Sequence, residues 1–527
     1  MTPARGRRTD ARVVIPPSRL DSQRIYSRAA RRFDAEQTRA ADARNRALLD
    51  RYGLGIASIE ILPLNEGAAT EGRLGPLQTE HRDRLVMVCS LGALAVSLSG
   101  RGNLLAIDGA ARSAHKMRVK ENNDRNSTAA MTEGLYALCE ADPRVSLQVA
   151  IGEGARVKPG ERGGNPTLYA GQVIGAGPMR FSLAVDAVEG TTKSTLFDPG
   201  CGTLLFATEA AIPAVPDVYF DKCQIYDVGD VTVNDPLERI VEAVRDRRKS
   251  REIDFFALDR PRHPIEAMLA LGANMRIDTD VDAYPAVAAG LRWGVFPDNL
   301  RPLDGVCANI GGAAEMIASA AGARYLGVRS TARFCAGTIP RWEARYDFGP
   351  GEEDVIRAAG FDPARVYAIE DLVPGLTTSD GAFVAAAISD NWHIPGLDAA
   401  YVGGNFATVC ALYVGSASAS ELWRVTFAFE RPWHETVDAL TPVLTRILAM
   451  EPSAIAAAVK QAVADPRQAR RLRHEIATSF YTHMRKSPGS DERMPLDLTA
   501  AAGSETPEAL AFLRAAVEAA PDWFSPA

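Results

Sequence analysis

Two carboxylates three residues apart, Asp186 and Glu189, stand directly before Gly190-Thr191-Thr192. The preceding run, Phe181-Ser182-Leu183-Ala184-Val185, reads as a buried strand. The chain then turns at Gly190 and can start a helix. Acidic side chains at the C-terminal end of a strand can share a divalent cation. The N–H groups of Gly190, Thr191 and Thr192 offer a seat for phosphate at the helix start. Metal ligands beside an anion cradle are what phosphate-ester hydrolysis requires. The plainer alternative is a pair of acidic caps at a strand-to-helix turn.

Other acidic residues sit in similar settings. Glu153 lies between two glycines after the apolar run Leu147–Ile151, where a ligand can approach with little steric cover. Glu315 falls in the first turn of a helix opened by Gly311-Gly312, where it also complements the helix dipole. Asp124 belongs to the polar run Asn122–Thr128, read as preceding a helix over 129–140, and is either a metal ligand or a cap. Asp278-Thr279-Asp280 follows an apolar run and suits vicinal sugar hydroxyls, or is a surface turn. Arg260-Pro261-Arg262-His263 offers two guanidinium groups to a second phosphate, or is a charged loop. Gly190–Ser194 looks like the tail of a P-loop, but it lacks the glycine before Lys193. Gly175-Ala176-Gly177 is followed by Pro178 and completes no dinucleotide fingerprint.

The elements that must position these groups fit an ordinary globular chain. Its 527 residues are 46% hydrophobic and 24% charged, enough for two or three domains. A net charge of −7 gives no footprint for nucleic acid. Seven scattered cysteines form no C-x-x-C pair, which argues against a zinc knuckle or disulfide framework and for a reducing cytoplasm. The histidines are equally dispersed, so any metal should be oxygen-ligated Mg²⁺ or Mn²⁺. The basic N-terminus lacks the apolar core of a signal peptide. The run Leu85–Leu98 is short of the ~20 residues that span a bilayer and reads as a buried core helix. No membrane partner is expected.

Residues 1–20 read as a disordered tail. Asp21 can cap a helix to about Arg51, and strand and loop follow to about 80. Strands are expected over Leu147–Ile151, Phe181–Val185, Leu204–Ala210, Asp254–Leu258, Arg324–Val328 and Leu422–Phe429, with a helix over 316–321. Beyond Arg431 the chain becomes Ala-rich and helical, with starts at Pro452-Ser453 and Thr506-Pro507.

Taken together, the segments resemble the class II fructose-1,6-bisphosphatases, including the fructose-1,6/sedoheptulose-1,7-bisphosphatases, of the lithium-sensitive sugar-phosphatase superfamily. The blocks that carry the resemblance run in family order: Ile151–Gly154, Leu168–Gly171, Ala184–Thr191, Pro216–Lys222, Pro261–His263, Asp278–Val281, Ile310–Glu315, Ser379–Gly381 and Gly404–Thr408 with Leu412–Val414. They cover about residues 100–430. The resemblance implies an α/β fold, a layered α-β-α-β-α sandwich, with helical extensions at both ends. Its divisions would be 1–20, a tail; 21–83, an N-terminal extension; 84–235, a metal-binding α/β domain; 236–430, a sugar-binding α/β domain; and 431–527, a helical C-terminal extension.

The resemblance further implies hydrolysis of the 1-phosphate of a sugar bisphosphate by water activated on two or three Mg²⁺ or Mn²⁺ ions, in a homo-oligomer. Metal ligation falls to Asp124, Glu153, Asp186, Glu189 and Glu315. Substrate contacts fall to Gly190, Thr191, Tyr219, Arg260, Pro261, Arg262, Asp278, Asp280 and Gly312. Thr191 aims the water, with Asp124, Asp186 and Glu189 as its catalytic company. A rival alignment uses Gly100-Arg101-Gly102-Asn103 and Asp108-Gly109-Ala110-Ala111, which puts Asn103 at the first ligand position. Ala155 replaces a frequent acidic residue, and Asp186-Ala187 replaces Asp-Pro. A different sugar or inositol phosphate as substrate, or a catalytically weakened scaffold, are the alternatives.

Overall fold

Along the sheet-forming strands, successive side chains point into different apolar clusters, and this alternation builds the layers. The computed structural model describes residues 54–64, 75–99, 110–152, 168, 170–196, 200–216, 218–259, 264–292, 302–335, 352–389, 391, 393–394, 396–397, 401–403, 406–415, 419–429, 494–496 and 524–526. The strands are β1 (Leu54–Pro63), β2 (Val145–Ile151), β3 (Val173–Gly175), β4 (Met179–Glu189), β5 (Gly202–Thr208), β6 (Tyr219–Tyr226), β7 (Asp254–Leu258) and β8 (Asn274–Asp278). They continue with β9 (Gly305–Gly311), β10 (Val328–Cys335), β11 (Val366–Ala368), β12 (Gly381–Ala387), β13 (Tyr401–Gly403), β14 (Phe406–Val414) and β15 (Ser420–Phe429). The helices used below are α1 (Pro76–Thr79), α2 (Arg82–Ser99), α3 (Ala110–Ala141), α4 (Thr191–Leu196), α5 (Leu237–Arg248), α6 (Ile265–Ala270), α7 (Tyr284–Leu291) and α8 (Ala313–Arg324).

One nine-stranded mixed sheet has the order β1-β15-β14-β12-β5-β4-β2-β3, with β13 on β14; a six-stranded sheet has the order β11-β10-β6-β9-β7-β8. In β5, Leu205 and Ala207 face a cluster with α2 and α3, while Leu204 and Phe206 face one with α7 and α8. In β7, Phe256 and Leu258 join the α7/α8 cluster, whereas Phe255 and Ala257 face α5 and α6. A period of two thus sends alternate residues to opposite layers. The order is α2/α3, large sheet, α7/α8, small sheet, α5/α6, the five-layer α/β arrangement expected.

Strands buried on both faces need continuous apolar runs, and β5 and β7 are buried at every position. The helix expected over Leu85–Leu98 is α2, with Leu85 through Cys89 each at most 1% exposed. Such burial on all sides explains why the run lacks a polar face.

Three expectations change. The polar run Asn122–Thr128 lies inside α3, which starts at Ala110. Its hydroxyls are used within the helix and across it: Thr128 Oγ1 donates to the Asp124 carbonyl at 2.5 Å, and Ser127 Oγ donates to the Ala187 carbonyl at 2.7 Å. Residues 324–328 are a turn between helix and strand. Helix α8 persists to Arg324, Gly327 takes φ +82°, and β10 begins at Val328. A left-handed residue closing such a turn favours glycine. Residues 54–63, assigned to an extension, are part of the large sheet, because β1 pairs antiparallel with β15 from Leu54↔Phe429 to Pro63↔Glu421.

The sheets do not divide at residue 235 either. Strand β6 belongs to the small sheet, and β12–β15 return to the large one. The expected helix 21–51 and tail 1–20 lie outside the described residues. So does nearly all of 431–527, where the described residues are two short strands, Met494–Leu496 and Phe524–Pro526, paired in parallel.

Asp380, in one of the blocks carrying the resemblance, has a structural role. Its Oδ2 accepts the Leu77 amide at 2.6 Å and so ties α1 to the start of β12. Burial, aided by Glu209, pushes its carboxyl up to about 6. A raised acid pKa means that ionisation opposes folding. The penalty is absent below about pH 4, grows between pH 4 and 6 and is complete above. D380N keeps an acceptor for Leu77. It should raise the melting temperature at pH 8, with the gain vanishing towards pH 4, as thermal denaturation across that range will show.

Candidate metal and phosphate site

Residues three apart on a regular strand point to opposite faces, so Asp186 and Glu189 need help to serve one site. A bulge supplies it: Asp186 pairs with Leu204 and Glu189 with Gly202, three steps on β4 against two on β5. The extra residue resets the alternation and re-aims both side chains. Asp186 Oδ1 accepts the Val188 amide at 3.0 Å, inside the bulge. Both carboxylates are 3% exposed. The chain then turns through Gly190, whose φ of +75° favours glycine. A Cβ there would also meet Val281 at 2.6 Å.

Glu189 is held from the other sheet. Its Oε1 accepts the amides of Asp282 and Ala283, each at 2.7 Å, from the segment between β8 and α7. Its Oε2 is buried with no hydrogen-bond partner. Burial, then the charge of Asp282 and, more weakly, that of Glu315, push the Glu189 carboxyl well up against the pull of the two amides. Glu315 sits in the first turn of α8, half-buried, with its carboxylate against the Cα of Gly312. Cys201 and Tyr284 both lie in the field of Glu189 and Asp186, and Cys201 also in that of Asp280. Acidic groups from β4, α8 and the segment after β8 therefore converge. All are oxygen donors, and one buried oxygen is orphaned, which fits a hard divalent cation.

Asp278 faces inward. Its Oδ1 lies 2.5 Å from Lys193 Nζ and accepts the amides of Thr279 and Asp280 at 2.5 and 3.1 Å. His393 Nε2 is 3.9 Å from its other oxygen. Burial opposes ionisation, but His393 and Lys193 together hold this carboxyl far below the usual range. Asp280 is half-buried beside the cluster. Tyr219 opens β6, half-buried, opposite Cys335. Thr191 is half-buried, and its Oγ1 donates to the Val188 carbonyl at 3.2 Å.

Asp124 is half-buried within α3 rather than at a helix start. Its neighbour Asn123 donates to Ser194 Oγ at 2.8 Å, so α3 is tethered to α4 next to the site. Glu153, Arg260, Pro261, Arg262 and the rival Asn103 and Asp108 lie outside the described residues.

Sequence reading missed Asp282, Lys222, Lys193, Cys201 and Tyr284. Only Asp282 carried a signal, as a third acid at alternate spacing after Asp278 and Asp280. Another acid/imidazole group, Glu80, His81 and Asp142, has ligand atoms within 4.8 Å of one another. Asp142 precedes β2, whose Val145 pairs with the start of β4, so it lies roughly 30 Å from Glu189 along the strand direction. Arg144 already spans its two carboxylates, at 2.6 Å from each.

Glu189 is thus a carboxyl whose ionisation its surroundings oppose. E189Q keeps the acceptor for the two amides and removes the charge. It should raise the melting temperature of the cation-free protein and abolish the further rise that Mn²⁺ gives the wild type, both read by thermal denaturation with and without chelator.

Among the described residues no helix is long and apolar enough to cross a membrane. No individually curated protein matches the chain. Residues 103–424, more than half of its length, match the family described as bacterial fructose-1,6-bisphosphatase, glpX-encoded. With that match over the segment that supplies the acidic cluster, the chain belongs to the glpX-encoded bacterial fructose-1,6-bisphosphatases, phosphoric monoester hydrolases of sugar bisphosphates.

Proposed function

We propose that the cluster around Glu189 binds Mg²⁺ or Mn²⁺ and hydrolyses the 1-phosphate of fructose 1,6-bisphosphate, and of sedoheptulose 1,7-bisphosphate by the same chemistry. The observation that carries this is the buried convergence of Asp186, Glu189 and Glu315 with one carboxylate oxygen left unpartnered. These three residues and Glu153 hold the cation. When bound, it neutralises phosphoryl charge and acidifies a water. For the first ligand position Asp124 is the residue the resemblance gives and Asn103 with Asp108 the rival; the family match spans both.

The chain's own groups do the rest. Gly190 and Thr191 bring main-chain amides beside the carboxylates, and the Thr191 hydroxyl orients the attacking water. Asp280 accepts hydrogen bonds from sugar hydroxyls, while Asp278, spoken for by Lys193, shapes the turn that presents it. Tyr219, Arg260, Pro261 and Arg262 receive the distal phosphate end, and Gly312 lets the sugar approach α8. The five-layer order supports membership of the lithium-sensitive superfamily. Two or three ions, a homo-oligomer and a reducing cytoplasm complete the reading.

Phosphate release from fructose 1,6-bisphosphate should require Mg²⁺ or Mn²⁺, stop with EDTA and return on re-addition of the metal. E189Q and D186N should each lose at least on the order of 100-fold in kcat/KM. Wild-type turnover in either variant, or turnover that survives chelation, would remove this site from the reaction.

A further inference from the structure

Beside the acidic cluster stands a cation that belongs to the chain itself. Lys222, on β6, is fully buried, and its Nζ lies 2.8 Å from Asp282 Oδ2. Asp282 is the residue whose amide holds Glu189 Oε1. The ion pair lies over the Cα of Gly311: a Cβ there would be 2.5 Å from Asp282 Oδ2 and 2.7 Å from Lys222 Nζ. The next residue, Gly312, lies against the Glu315 carboxylate. The pair therefore lies over the residue next to the glycine that the Glu315 carboxylate touches, and one hydrogen bond from Glu189.

A buried ammonium is costly to desolvate, and a single carboxylate partner seldom repays that cost in stability. In this place it has a different effect. It opposes the charge of Asp282, the acid that bears most strongly on Glu189. It also puts a fixed positive charge beside the acidic cluster.

Resting on the metal reading above, we infer that Lys222 and Asp282 form a charge-setting pair that tunes the affinity of the Glu189–Glu315 cluster for its divalent cation. Lys222 weakens binding by repulsion, and Asp282 strengthens it and keeps the ammonium in place. Neither residue need touch substrate; both are positioning residues.

The test uses two near-isosteric changes in the full chain, each removing one charge of the ion pair. K222Q removes the ammonium from beside Asp282 and should tighten Mn²⁺ binding about tenfold or more. D282N leaves Lys222 uncompensated and should weaken it about tenfold or more. Binding is read by titration with Mn²⁺ alone, followed by its electron paramagnetic resonance signal, without substrate or turnover. Both variants break the same ion pair, so a purely structural role would move both affinities in one direction. Opposite shifts support the inference; shifts of one sign, or none, overturn it while leaving the metal site standing. Absence of saturable Mn²⁺ binding in the wild type overturns both. Should K222Q fail to fold, K222M/D282N, which removes both charges, must bind within a few-fold of wild type, and a larger departure counts against the pair.

Discussion

Two main-chain amides gripping one oxygen of Glu189 join the large sheet to the small one at the point where chemistry is expected. Glu189 ends a strand of the first sheet; Asp282 and Ala283 follow a strand of the second. The clamp sets the angle at which the carboxylate enters the site and leaves its second oxygen unpartnered. The bulge in β4, the left-handed Gly190 and the Asp278 turn all act on the two ends of this contact. Helix α3 secures it from behind, through Ser127 to the Ala187 carbonyl and Asn123 to Ser194.

The same contact explains why the site resists folding alone. Acidic groups packed together out of water raise one another's energy, and the amides only partly offset that. A cation bound among these carboxylates would relieve that repulsion. Function and stability pull in opposite directions at Glu189, as they commonly do at active sites. Lys193 with Asp278 and Lys222 with Asp282 relieve part of the excess charge from the periphery, leaving the centre for the ligand.

Much of this was legible in the residues. The apolar runs of β5, β7 and α2 announced buried elements, and Asp186, Glu189 and Gly190 could be read as carboxylates at a strand end before a turn. The layered architecture came through the resemblance. What escaped were features set by distant partners. Asn122–Thr128 read as a loop because its side chains compete with helical hydrogen bonds. In the fold Asn123 is spent on α4 and Ser127 on β4, and the helix runs through. The Arg324–Val328 stretch looks apolar enough for a strand, yet a helix end and a glycine turn divide it. The Lys222–Asp282 pair joins positions sixty residues apart on different elements, and no local pattern encodes it. The bulge, too, was invisible, because one extra residue in a strand leaves no mark on composition.

All seven cysteines, read from the sequence as forming neither a zinc knuckle nor a disulfide framework, are buried and unbridged. Nucleophilic attack by sulfur needs the thiolate. Burial pushes the thiol of Cys139 up to about 12, and those of Cys89 and Cys201 are also driven upward by burial. Cys223 is raised by its neighbour Cys307 and by burial. Peroxide and alkylating agents therefore meet a folded surface with no reactive sulfur. An enzyme built this way would be blind, while folded, to the thiol reagents that silence catalysts with an exposed cysteine.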